Sequence, residues 1–326
     1  MSLYRKILKQ ALIVSWQKKH LWFFGLFAAL FIDHSGFEFF FQILNKESEG
    51  LSSFFASDLF SFNGLANAGT LLSEQPLMFA FAVLVLLFIL ALFLFLLWLA
   101  IVSQLAIVNN SAKFLANKEV KLADGLLAGF KNFWPALVLN ALAFAIMLIP
   151  VLLTNLIPET LFFKTFYFLV FIMLAVLVIA FSLLIKFAIA NLVIKNGNIS
   201  DSFEKGWELF NKNWLICIET AVILMLIAFA TFVIIKLALL PLVLILISYF
   251  GALLFGILPF SPTTSAFLYL FFLILGHIVS LIIIILFGAY IATFQIVVWT
   301  KLYIELSGKG AESKLVRIVK SFQERQ

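Results

Sequence analysis

Polar residues are so scarce along most of this chain that the places where they gather define its elements. Apolar runs cover 77–108, 134–156, 163–193, 214–237 and 264–303. At about 1.5 Å of rise per residue, each is long enough to cross roughly 30 Å of hydrocarbon as a helix. A shorter run, Leu21–Ile32, would reach only about 18 Å. Its helix must therefore begin near Trp16 or continue past Asp33 toward Leu44. The pattern predicts an all-α polytopic integral membrane protein with about six transmembrane helices. Pro150 lies near the end of the third run, where it would kink the helix. Ala238–Phe260 is apolar but interrupted by Pro241, Gly251, Gly256 and Pro259. We read 238–260 as a re-entrant or outer-leaflet segment, because a full crossing would leave the Lys-rich end of the chain outside.

Where polarity returns, it returns with helical period. In Asp201–Trp214 the residues Phe203, Trp207, Phe210 and Trp214 share one face, while Lys205, Glu208 and Lys212 take another. Asp201 with Glu204 fits an N-terminal capping box. Such a helix suits the membrane interface, aromatic side toward the acyl chains and charges toward water. Asp124–Trp134 is a second copy, with Asp124, Gly129 and Phe130 standing for Asp201, Gly206 and Trp207. Gln10–Trp22 is a looser third copy, with Ser15 and Trp16 at the Gly-aromatic position. Each copy ends on a tryptophan and leads into an apolar run, so the chain divides into three amphipathic-helix-plus-hairpin units. Residues 1–20, 120–134 and 199–214 are the interfacial helices on this reading. Trp16, Trp22, Trp134, Trp207 and Trp214 are their interfacial anchors. Residues 309–326 form a further basic amphipathic tail.

Composition agrees with a membrane class: hydrophobic residues make up 64% and charged residues 12% of the chain, far from a soluble domain's mix. The net charge of +6 is spread by topology and forms no nucleic-acid patch. Lys and Arg gather in 1–20, 109–133 and 301–326, whereas 33–76 is acidic and holds Lys46 alone. The positive-inside rule then makes 33–76 an outer loop and puts both termini in the cytoplasm of a cell-membrane protein. Leu21–Ile32 also resembles a signal-peptide core, but the leader before it is long and FIDHSGF is no small-residue cleavage site.

Ionisable groups inside apolar runs are expensive and mark candidate sites. Lys186 and Glu219 fall at shallow depth on neighbouring runs, where they could pair or each reach the interface. His277 stands near the middle of the last run, where it could relay protons or bind a ligand, or simply donate to a carbonyl. Asp33, His34 and Glu38 read as a solvated loop. Asn140, Asn191 and Gln295 read as interhelical hydrogen-bond partners. The sequence offers no catalytic constellation, metal-ligand cluster or cofactor loop, and Cys217 stands alone.

WQKKHLWFFGLFAAL, ISDSFEKGWELFNKNW and FQIVVWTKLYIEL resemble a broad group of bacterial multi-pass proteins. These are the membrane domain associated with glycerophosphoryl diester phosphodiesterases and its six-helix relatives. In that family hydrolysis belongs to a separate soluble barrel, for which this chain has no sufficiently polar stretch. The resemblance therefore implies a membrane domain and carries over no catalytic residue. The leading expectation is a non-enzymatic domain associating with membrane lipids, a protein partner or further copies of itself. A secondary transporter or small-solute channel is the alternative, and an intramembrane enzyme comes third.

Overall fold

The computed structural model describes residues 3–31, 76–156, 161–252 and 262–308. Expectations for the outer loop 33–75, including Asp33, His34 and Glu38, and for the tail 309–326 lie outside the described residues. Within them the chain is helical and contains no strand. The helices are α1 (Leu3–Gln17), α2 (His20–Phe31), α3 (Pro76–Leu115), α4 (Leu122–Lys131), α5 (Phe133–Leu156), α6 (Leu161–Lys195), α7 (Ile199–Ala252) and α8 (Pro262–Gly308). Five of them, α3, α5, α6, α7 and α8, are long and apolar enough to cross a membrane. The protein is therefore an all-α polytopic membrane protein.

Backbone chemistry explains the boundaries. Pro76 opens α3, where its missing N–H costs nothing. Asn117 and Asn196, both with positive φ, stop α3 and α6 in the left-handed conformation that asparagine tolerates. In α4 and α7 the aspartates Asp124 and Asp201 each lie within the first helical turn. Asp201 thus sits inside the helix rather than capping it, because α7 begins three residues earlier than the capping box implied. A carboxylate there still favours the positive end of the helix dipole.

The 54-residue α7 contains one non-helical residue, Asn213 (φ −129°). Its side chain turns back to donate to the Leu209 carbonyl at 3.0 Å. Asn132, between α4 and α5, makes the same gesture toward the Ala128 carbonyl at 3.1 Å. Lys18 and Lys19 separate α1 from α2. In each copy of the motif the break precedes the closing tryptophan by no more than a few residues. Beyond Asn213, α7 runs unbroken through Pro241 to Ala252. The segment 238–252 is therefore a continuation of the preceding helix and not a separate element. An apolar helix tolerates an isolated proline, since local adjustment can re-satisfy the one freed carbonyl.

The hairpins α2–α3, α5–α6 and α7–α8 are arranged around a centre. Their second helices, α3, α6 and α8, all touch one another, and the first helices lie outside them. Each amphipathic helix packs on the inner helix preceding it: α4 on α3, and the start of α7 on α6. α1 packs on α8. Among the described helices the arrangement is a ring closed between α1 and α8.

Glycines permit these approaches. A Cβ on Gly129 would stand 2.8 Å from the Val102 carbonyl oxygen, and one on Gly206 3.2 Å from that of Leu184. In the first unit the close approach belongs to Gly25 on α2, where a Cβ would overlap the Ala289 carbonyl oxygen and the Thr293 hydroxyl. Ser15, assigned to that position from sequence, is nevertheless fully buried. Side-chain bonds fasten the start of each amphipathic helix as well. Asn109 and Asn110 donate to the carbonyls of Asp124 and Lys121, Asn191 donates to the Ser202 hydroxyl, and Lys6 pairs with Glu305 at 3.2 Å. Lys113 donates to Asp124 at 3.0 Å, and that bond holds the Asp124 carboxyl below the usual carboxylate range.

Packing concentrates at the end of the bundle that carries the amphipathic helices. Burial begins at Ala100 in α3, Leu183 in α6 and Ala289 in α8, and in α7 it ends at Leu224. The opposite halves of α3, α7 and α8 expose Leu, Ile and Phe side chains, which suits an acyl-chain solvent.

Candidate central polar site

Three inner-helix segments meet near the centre: VSQLAIVNN (102–110), LIKFAIANL (184–192) and TFQIVVWTK (293–301). Their third positions are Gln104, Lys186 and Gln295. These three side chains line one small cavity on the common axis, together with Val108, Ile189, Ile296, Trp299 and Thr300. Its volume is about 30 Å³, room for one or two waters and too little for a solute.

Gln104 is buried, and its Oε1 accepts from Asn140 Nδ2 at 3.1 Å. That bond ties α5 to α3, and Asn140 also donates to the Ala136 carbonyl of its own helix at 3.0 Å. The Lys186 Nζ lies 5.2 Å from the centroid of the Trp299 ring, a cation–π contact worth about 0.5–2 kcal/mol depending on desolvation. One turn toward the helix ends, Asn191 accepts from the Tyr303 hydroxyl at 2.7 Å. Its amide donates to Ser202 at 3.3 Å. Asn191, Ser202 and Tyr303 are all buried, and together they link α6, α7 and α8.

The residues singled out from sequence distribute unevenly over this geometry. Lys186 lines the axial cavity. Glu219, half-buried on α7, accepts a hydrogen bond from the Tyr4 hydroxyl of α1. His277 is exposed, about 27 Å along α8 from Gln295 by helical rise, so it does not belong to the centre. Trp16, Trp134, Trp207 and Trp214 are exposed. Trp22 is half-buried and donates to the Ser15 carbonyl at 2.7 Å. The rings of Trp16 and Trp22 gather around Tyr290 at 6.3 and 5.4 Å.

Gln104 was missed from sequence. The signal that could have found it is the alignment of the inner helices, whose third positions are polar in an otherwise apolar setting. Among the described residues no group of three His, Cys, Asp or Glu side chains is placed to hold a metal. The groups lining the centre offer hydrogen bonds and one cation. No family model, curated protein or solved structure matches this chain.

Proposed function

We propose that this chain is a non-enzymatic membrane domain that associates with lipids or with protein partners through its amphipathic helices. These helices lie in the cytoplasmic leaflet's interface, and both termini are cytoplasmic. The observation that supports this most is common to all three helices. Each is held against an inner helix on one side while an aromatic ring faces out on another: Trp16, Phe130 and Trp207 are all exposed. Aromatic side chains with neighbouring lysines are the usual equipment of an interfacial anchor. The likeness to the membrane domain associated with glycerophosphoryl diester phosphodiesterases belongs to the same proposal.

Cysteines introduced at Lys131 and Lys212 test the placement. Both are expected to react with a membrane-impermeant maleimide only after the cytoplasmic face is opened. Labelling of the two from opposite sides would overturn it.

A second reading, passage of a very small species, draws on the axial cavity alone. In proteoliposomes it requires a water or proton flux that falls at least tenfold in Lys186→Met. A flux indifferent to that change, or no flux at all, removes this reading.

A further inference from the structure

The buried face of α1 consists of Tyr4, Ile7, Ala11, Val14 and Ser15. The flank beside it, Arg5, Leu8, Lys9 and Leu12, faces a different surface. These four line a groove of about 800 Å³, with Ile227, Thr231 and Ile234 of α7 and Phe287, Tyr290, Ile291 and Phe294 of α8 as its other walls. The volume falls within the range of ligand-binding sites.

The walls are hydrocarbon apart from Tyr290 and Thr231, and the Thr231 hydroxyl is already committed to the Ile227 carbonyl at 2.7 Å. All the charge on the lining is positive and comes from Arg5 and Lys9 on α1. Lys6, between them in sequence, is turned away and neutralised by Glu305. Among the described residues Arg5 and Lys9 make no ion pair. A flank that combines two unneutralised cations with two leucines over an apolar trough complements one kind of molecule, an anionic headgroup joined to an acyl chain.

We propose that this groove binds an anionic glycerophospholipid, its phosphate between Arg5 and Lys9 and an acyl chain along Ile227, Thr231 and Phe287. The inference rests on the lipid-associated reading above and gives it a site and a lipid class. Arg5 and Lys9 select the headgroup, and the α7–α8 walls hold the chain. An exposed cation at a membrane surface contributes roughly a five-fold preference for anionic lipid, so the pair is worth roughly 25-fold.

The test is native mass spectrometry of the full chain released from detergent. It is titrated with phosphatidylglycerol or with phosphatidylcholine bearing the same acyl chains. Phosphatidylglycerol is expected to form a one-to-one adduct at least tenfold more tightly. Arg5→Ala/Lys9→Ala should abolish that preference, whereas Lys205→Ala/Lys212→Ala, on the exposed surface of another amphipathic helix, should leave it intact. Thr231→Trp, or Leu12→Trp should the former not fold, fills the groove and should weaken both lipids.

Equal affinity for the two lipids in the native chain would overturn the assignment. So would equal losses from the two charge-removal variants, or adducts indifferent to both tryptophans. A dimer that dissolves in Thr231→Trp while lipid adducts persist would place a second copy in the groove and overturn it too. Failure of the broader reading looks different, because then no lipid of either class would remain bound.

Discussion

Gly25→Ala is expected to be the most damaging single-methyl change in the protein. The added carbon would overlap the Ala289 carbonyl oxygen and the Thr293 hydroxyl, with the carbonyl carbon itself 3.0 Å away. A helix backbone cannot swing aside as a flexible side chain can, so α2 must lift off α8. Overpacking commonly costs about 1–3 kcal/mol, and a clash with main chain belongs at or above the upper figure. Unfolding in mixed micelles, followed by tryptophan fluorescence, measures the loss.

The other glycines supply a graded comparison. Gly129→Ala meets the Val102 backbone at 2.8 Å and should cost less than Gly25→Ala. Gly206→Ala meets the Ala188 amide at 3.1 Å and should cost less again. Gly276→Ala meets nothing within 4 Å and should be neutral or stabilising by up to about 1 kcal/mol from helix propensity. An order that inverts Gly25 and Gly276 would refute the packing of α2 on α8.

Asn191→Leu should produce the second large effect, about 2 kcal/mol. The substitution keeps the volume nearly constant but strips partners from two buried hydroxyls, those of Tyr303 and Ser202. An unsatisfied buried group costs roughly 1–3 kcal/mol. Interhelical hydrogen bonds in membrane proteins sit toward the lower end, about 0.6 kcal/mol on average and about 1.7 at most. Because the penalty comes from the abandoned partners, removing them should restore stability. The triple change Asn191→Leu/Ser202→Ala/Tyr303→Phe is expected to be more stable than Asn191→Leu alone. Strictly additive losses in the triple variant would mean that the three side chains do not act as a network.

Much of the architecture was legible because a bilayer leaves few options for an apolar chain. Runs such as 77–108 and 264–303 must be helices in hydrocarbon, where every backbone group needs an internal partner. Pro76 and Asn196 marked ends through their own backbone chemistry. The repeated amphipathic segments could be read because their polar residues keep helical spacing.

Inside the apolar runs that information disappears. With nearly every position hydrophobic, periodicity cannot separate a residue facing the bundle from one facing lipid. His277 was therefore placed by depth alone, and it lies on an exposed face. Gln104 escaped for the complementary reason, since it is a lone polar residue whose meaning depends on helices far away in sequence. Gly25 lay three residues beyond Trp22, outside the motif that located Gly129 and Gly206, so Ser15 was taken for its counterpart. The groove beneath α1 could not be read at all, because its walls come from both ends of the chain.

The pairing of α1 with α8, sealed by Lys6 and Glu305, also imposes an order on biosynthesis. α1, and the face of α2 that meets α8, wait for α8 to be made, although α2 already has α3 to pack on. Through most of translation the seam on α1 and α2 stays open, Gly25 included. A nascent chain stalled before residue 289 would present that seam to whatever membrane chaperone or protease surveys unfinished products. Completion of α8 is what withdraws it.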